Sequence, residues 1–519
     1  MTIEGAVEKE ARKIRRELEE KGIKIVDDTE IDGSTRITAA PLPKKSNGDG
    51  KKRAQARPLP IHQNKFQEFY RFLFRSGLYI NPIRDLDFGV LKEIPIDDAG
   101  DCKVTIAKQS YNSTLTFTVL TSILQNTSML TFGPPGSGKT TAAEFVISGV
   151  YNVPLAEVQA ATILGNPELT EEKMLAYIKL SSFIKKKEEI GIRKFMTTRG
   201  RLIDEANRMP PSKSSLLLNI LDRGWVQYND KKIIAEPGPL FATVNGSDSG
   251  NYEMTPAFVD RFDIGVISPE LNPAFIELYT SKRNNKIRFL EDVIVEPSEK
   301  ITIKDIIRAR KEIYSQVAFE TDLMNRLAHF LMELMSCDKA GKEHYNKTKA
   351  NALEKPPGPL CANCRYVGND LSICYATANS LSARTVSSVY AYAKALSWWR
   401  GDNKVTEDDI RYVLAASSWF KLRPTNIIKT KDEHFVNDKI AMVKHLWNIS
   451  GQTYVESCKV VPEYGEIVRI VSDYHRGINR PSKSEIEDMI SSVKKIDSPA
   501  KFPLSTALKE MRQDYDWAA

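Results

Sequence analysis

A chain of 519 residues with 41% hydrophobic content is too long for one ordinary core, so two or three domains are expected, each with ample apolar material. A net charge of +7 over that length is too weak a bias for a dedicated nucleic-acid coat protein, and no apolar run reaches the roughly 18 residues that span a bilayer. Six unevenly spaced cysteines argue against a disulfide scaffold, and the charge-dense residues 1–20 are unlike a signal peptide, so the expected location is the cytoplasm.

The first predicted element is an amphipathic helix within residues 1–30, with Ile3, Val7, Ala11, Ile14 and Leu18 on one face and Gly22 placed to end it. Residues 31–60 mix Gly, Ser, Pro and Lys without periodicity, including Lys51-Lys52-Arg53, and read as a basic flexible linker. Within 61–106, Phe66, Phe69, Tyr70, Leu73 and Phe74 repeat at helical spacing, an aromatic stripe that reads as the buried face of an N-terminal segment packing on the α/β core. From 107 to 270 short apolar strands alternate with helical stretches, the pattern of an α/β fold with a parallel sheet flanked by helices. Residues 271–424 read as a separate helical domain, with Leu323, Leu327, Phe330, Leu331, Leu334 and Met335 at helical spacing. Residues 425–519 form a helical C-terminal extension with a capping-box pattern at Ser482 and Glu485 and no motif of known chemistry.

The α/β region carries the chemistry. Gly133-Pro134-Pro135-Gly136-Ser137-Gly138-Lys139-Thr140 is a complete G-x-x-x-x-G-K-T loop, set between an apolar run and a helix-like stretch that starts at Thr141. Its glycines let backbone N–H groups turn inward around a polyphosphate, Lys139 neutralises β and γ charge, and the Thr140 hydroxyl can ligand Mg²⁺. A nucleoside triphosphate is therefore the expected ligand. About sixty residues on, Leu202-Ile203-Asp204-Glu205-Ala206-Asn207-Arg208 places two carboxylates at the end of an apolar run. Asp204 would hold Mg²⁺ through its water shell and Glu205 would polarise the attacking water. Because Arg199-Gly200-Arg201 leaves only two apolar residues before Asp204, this strand is expected to be unusually short. A further apolar run, 240–244, ends in Asn245, whose amide could reach the attacking water or serve only as a turn residue. Arg261 in Asp260-Arg261-Phe262-Asp263 falls at the end of a predicted helix, and Arg384 in Ser382-Ala383-Arg384 at the start of another.

This order of motifs resembles the AAA+ ATPases, and within them the MoxR subgroup, over roughly residues 107–424. The resemblance implies an AAA+ core followed by an all-helical lid, with ATP rather than GTP as the nucleotide. It assigns Asn245 to the first sensor, Arg261 to the finger that enters a neighbouring subunit's site, and Arg384 to the second sensor on the lid. Residues 163–190, including Gly165-Asn166-Pro167-Glu168, resemble the helix-2 insertion whose tip lines a ring's pore. Trp225-Val226-Gln227-Tyr228, the turn Asn229-Asp230 and 231–235 resemble the hairpin before the first sensor. Family members are typically hexameric rings that act as chaperone-like remodellers or activators of a protein client, together with von Willebrand factor A domain proteins, which here would be a separate chain. A runner-up is a nucleic-acid translocase, with Lys231, Lys232 and Lys185-Lys186-Lys187 facing phosphates. A third reading is a scaffold that binds ATP without hydrolysing it, against which intact Glu205 and Arg261 speak.

Cys337, Cys361, Cys364 and Cys374 form a second constellation, a C-x-x-C pair flanked by a cysteine on each side. Four thiolates can close a tetrahedral structural Zn²⁺ shell across the base of the loop 338–360, with His344 as an alternative fourth ligand; unliganded thiols and a redox pair remain open. Cys102 and Cys458 are isolated and read as small buried hydrophobes. Trp398 and Trp399 read as lid core rather than a ligand cage.

Overall fold

Five parallel strands form the central sheet of the computed structural model: β1 (Ser128–Phe132), β2 (Ile163–Leu164), β3 (Arg201–Asp204), β4 (Leu240–Val244) and β5 (Ile264–Ile267), in the spatial order β5–β1–β4–β3–β2. The structure describes residues 62–75, 84–88, 109–124, 126–179, 189–246, 251–270, 272–276, 280, 300–337, 361, 364–367, 372–431 and 434–518. The helix expected within 1–30, the linker 31–60, Lys185-Lys186-Lys187, Cys102 and His344 lie outside them.

β4 is buried along its whole length and β1 nearly so, because helices cover both faces of the sheet. Register aligns the strand ends: Phe132 pairs with Val244 and Ile267, Ala242 with Ile203, and Asp204 with Leu164. The loops after β1, β3 and β4 therefore open at one edge, where ligands of such sheets bind. β3 is short, as expected, with four residues against five in β1 and β4, and it begins at Arg201, which is 4% exposed. The Arg201 guanidinium donates to the carbonyls of Glu236 and Gly238, so a charged residue lies inside the strand at no cost in unpaired groups on its terminal nitrogens.

On one face lie the helices Ser113–Ile123 and Lys139–Tyr151, with the aromatic helix His62–Arg75 and the helix Ile303–Gln316 packed against Ser113–Ile123. Phe66, Phe69, Tyr70 and Leu73 are all buried, and the ring of Phe69 occupies the space beside Gly149 in the phosphate-loop helix, where a Cβ would stand 2.4 Å from it. The opposite face carries a second core, built from Leu130, Ile203, Leu217, Ala242, Phe258 and Phe262. Two antiparallel hairpins extend from this side, Ala176–Ile178 with Ile190–Ile192 and Trp225–Tyr228 with Lys231–Ile234. The second turns on Asn229 and Asp230, both at positive φ (47° and 59°), the conformation whose twist matches a tight two-residue hairpin.

The lid helices are Ile303–Gln316, Thr321–Met335, Ala383–Arg400 and Glu407–Ser418. Trp398 and Trp399 are fully buried in it, and Arg400 is held by the buried carboxylate of Asp409 at 2.7 and 2.9 Å. Gln63 donates to the carbonyl of Trp399 at 2.8 Å, joining the aromatic helix to the lid. The long helix Lys439–Val460 packs on the lid, and a third core joins Tyr464–His475, Lys483–Val493 and Lys501–Ala518. Glu333, fully buried on a lid helix, accepts from Ser450, Thr453 and Ser498 at 2.6 to 2.9 Å and so anchors this extension.

Candidate active site

The phosphate loop leaves β1 at Phe132 and enters the helix Lys139–Tyr151. Gly136 and Gly138 adopt left-handed φ values of 76° and 81°, and the N-terminal turn of the helix carries no side-chain cap, so its N–H groups remain for an anion. A Cβ on Gly133 would stand 2.7 Å from the carbonyl of Ser268, so the loop passes too close to β5 for any other residue. Ser137 is tied in from both sides, donating to the Pro134 carbonyl at 2.9 Å and accepting from Ser268 at 3.1 Å. Lys139, 6% exposed, donates to the carbonyls of Gly133 (2.9 Å) and Pro134 (2.7 Å). Burial pushes its ammonium below the usual lysine range, and the nearby Asp204 and Glu205 carboxylates pull it back.

Asp204 and Glu205 stand at the end of β3. One Asp204 oxygen, Oδ1, accepts from the Thr140 hydroxyl at 2.7 Å and also from Thr243. Thr140 and Asp204 thus present a hydroxyl and a carboxylate side by side, an oxygen donor set that fits Mg²⁺ and suits bridging to a polyphosphate. Glu205 is left-handed, with φ 55°, a conformation that costs a non-glycine residue on the order of 1 kcal/mol. Its N–H donates to Thr243 Oγ1 at 2.9 Å, and its carboxylate accepts from Asn245 Nδ2 at 2.6 Å and pairs with Arg208 Nε at 3.1 Å. Asn207 donates in turn to the Asn245 carbonyl at 3.1 Å. Lys139, Thr140, Asp204, Glu205 and Asn245 therefore converge at the carboxyl edge of the sheet.

Gly165 ends β2 against this cluster. Its N–H donates to the Asp204 carbonyl at 2.7 Å, and a Cβ there would stand 2.2 Å from the Glu205 carbonyl oxygen. Gly165→Ala must therefore displace the Glu205 backbone. We expect it to lower the turnover rate for ATP by roughly 10- to 100-fold while nucleotide affinity changes little, since misplacing a catalytic group by about 1 Å costs that much. Equal turnover in the variant would show that Gly165 does not set Glu205.

Arg261 and Arg384 come together, but at the other end of the sheet. Arg261 follows the short helix Pro256–Asp260, and its carbonyl accepts from Ser128 Oγ at the first residue of β1. From Ser128 to Phe132 the strand rises roughly 13 Å before the phosphate loop begins. Arg261 Nε donates to Asp222 Oδ2 at 2.8 Å, and Arg384 Nη2 lies 3.2 Å from Asp222 Oδ1. Arg384 also reaches Asp260 Oδ2 at 3.4 Å. Lys421 lies behind this group, its ammonium pushed down to about 8 by burial against the opposing pull of Asp260 and Asp263.

Thr243 and Asp222, which no motif marks, touch these side chains. Thr243 precedes Asn245 by two residues on the same strand face, and a hydroxyl inside an apolar run was the available signal. Asp222 carries no such signal.

The cysteines do not assemble as the spacing suggested. None of Cys337, Cys361, Cys364 and Cys374 forms a disulfide, and among the described residues no group of three or more His, Cys, Asp or Glu is placed to hold a metal ion. The return of the chain to the lid is fixed by burial and hydrogen bonds. Ile373, Tyr375 and Ala376 enter the core, Thr425 N donates to the Ala376 carbonyl at 3.0 Å, and Ala378 N donates to the Arg423 carbonyl at 2.8 Å. Cys458, expected to be buried, is half-buried.

The sheet order, the phosphate loop after β1 and the paired carboxylates after β3 define a phosphate-loop nucleotide-binding module. Residues 128–262 match the family model of the AAA domain, dynein-related subfamily, so this part of the chain is similar to an AAA-type domain. A solved structure of a candidate ATPase from Cytophaga hutchinsonii is similar at 18% identity and a TM-score of 0.44, covering 63% of this chain and 86% of that one. No curated protein matches the chain significantly.

Proposed function

We propose that the chain is a Mg²⁺-dependent, ring-forming ATPase of MoxR type that couples ATP hydrolysis to the remodelling of a protein client. The observation that carries this reading is the separation of the catalytic groups. Lys139, Thr140, Asp204, Glu205 and Asn245 occupy one end of the sheet, while Arg261 and Arg384 occupy the other. An arginine side chain cannot bridge that distance, so the arginines serve a triphosphate held by an adjacent copy. Lys139 and the loop N–H groups would bind the phosphates, Thr140 and Asp204 would hold Mg²⁺, which would neutralise charge on the β- and γ-phosphates, and Glu205 would orient the attacking water with Asn245 beside it. Water adds to the γ-phosphorus, the bond to the β-phosphate oxygen breaks, and ADP and phosphate leave. A closed ring, of which the hexamer is the expected form, gives every protomer a donor and a recipient face.

The hairpins favour polypeptide over nucleic acid as the thing gripped. Ile192 and Ile234 are 47% and 71% exposed, one on each hairpin, and Lys232 is drawn over the ring of Trp225 at 4.7 Å. Exposed aliphatic groups suit an unfolded segment better than they suit phosphates. Among the described residues no helix is long and apolar enough to cross a membrane. The reading places the ring in the cytoplasm, with a von Willebrand factor A domain protein as the separate partner. The test is turnover measured with an unfolded polypeptide and with DNA at several salt concentrations. Stimulation by the polypeptide, reduced in Ile234→Ser, is expected; salt-sensitive stimulation by DNA alone would favour a translocase.

A further inference from the structure

We infer that Asp222 is a positioning residue of the composite site, whose carboxylate orders Arg261 and Arg384 into one doubly cationic prong for the triphosphate bound by a second copy of this chain. The inference rests on the proposed trans arrangement and deepens it.

Asp222 lies in the last turn of the helix Pro211–Arg223. A negative charge there opposes the helix dipole, so the position is poor for the helix that carries it. Its compensation comes from elsewhere in the fold. Oδ2 accepts from Arg261 Nε at 2.8 Å, and both oxygens lie within 3.3 Å of Arg384 Nη2. The two arginines come from different domains, one ending a core helix and the other opening a lid helix. Two guanidinium groups held this close repel each other unless an anion stands between them, and Asp222 is the carboxylate both touch.

The remaining contacts set direction. Arg261 also donates Nη1 to the Ala257 carbonyl at 2.6 Å, leaving Nη2 for a phosphate oxygen. Arg384 uses Nη1 on Asp260, whose other oxygen is fixed by Ser382 at 2.8 Å. Arg384 is the outer of the two, with a side chain 49% exposed against 18% for Arg261. Asp222 thus holds Arg261 by Nε and Arg384 by Nη2 and so fixes the planes of both guanidinium groups, which is how a planar five-donor group can be pre-organised for a phosphate. Because this end of the sheet lies a full strand length from Lys139, Asp222 can act only on a neighbour's nucleotide.

The test uses mixed rings of the full-length chain. Asp222→Ala alone should lose roughly 10- to 100-fold in kcat, with the affinity for a fluorescent ATP analogue within about twofold of wild type. Asp222→Asn, which keeps the shape and one acceptor, should fall between. Glu205→Gln alone should be inactive but carries an intact prong, whereas Asp222→Ala carries an intact phosphate loop and water-orienting glutamate. Mixing these two should restore turnover well above the sum of the separate preparations. The inference is overturned if Asp222→Ala turns over at the wild-type rate, or if it is not rescued by Glu205→Gln while Arg261→Ala is. If Arg261→Ala is not rescued either, the trans arrangement fails and the role of Asp222 falls with it.

Discussion

Arg261→Ala is expected to bind ATP normally and to lose turnover by roughly 10³-fold or more, the usual worth of an arginine supplied from a neighbouring subunit. Binding survives because the phosphate loop lies at the opposite end of the sheet and makes no use of this side chain. Stability should hardly change. The Asp222 carboxylate that loses Arg261 keeps Arg384 at 3.2 Å, and a partly exposed ion pair is worth at most about 1 kcal/mol. Nucleotide binding, thermal unfolding and steady-state turnover, measured together on the same preparation, check this. Wild-type turnover would remove Arg261 from the chemistry, whereas lost nucleotide binding would recast it as a structural residue.

Glu205→Gln is expected to retain ATP and lose roughly 10²- to 10⁴-fold in kcat, the range for removing a group that accepts a proton from the nucleophile. The amide can still meet Asn245 and keeps the side-chain volume, so the left-handed backbone at this position should persist. The pair Glu205–Arg208 would weaken, but it is partly exposed and contributes little to folding. The variant should therefore accumulate unhydrolysed ATP on an otherwise native protein, which a single-turnover measurement reads directly. If both the wild type and the variant were near zero, the chain would be a nucleotide-gated scaffold.

The loop and the paired carboxylates were legible as local structure in the sequence because their signals are short and contiguous. Eight successive residues dictate the loop, and an apolar run ending in Asp204-Glu205 dictates the second strand. The hairpin at Asn229-Asp230 was legible for the same reason, since two residues tolerant of positive φ sit between β-prone runs. Arg261 and Arg384 could be located at helix ends, but not brought together, because the carboxylate between them is 39 residues from one and 162 from the other. Nothing local marks such a contact. The short strand that Arg201 announced is formed, and what the sequence did not show is that neighbouring carbonyls receive the guanidinium inside it. The cysteines show the limit of spacing arguments. Cys361 and Cys364 share one turn, with Cys364 N donating to the Cys361 carbonyl at 3.2 Å, yet the long separations to Cys337 and Cys374 carried no information about where those thiols fold.

The lid and the C-terminal extension follow the same division. Helical periodicity announced their elements, and the capping box at Ser482 and Glu485 is formed as its pattern implies. What periodicity could not give is the polar joint between them, where Glu333 collects hydroxyls from three separate points of the chain beneath His329 and Tyr464. Such joints are fixed by tertiary contacts, and each of their residues looks ordinary in its own segment.

The central claim is that one protomer supplies the phosphate loop and another the arginines. Its most direct test is specific turnover measured across a dilution series, with particle mass recorded in the same samples under saturating ATP. Turnover per chain should fall towards zero as rings dissociate into single copies; isolated protomers hydrolysing ATP at the undiluted rate per chain would contradict the trans arrangement.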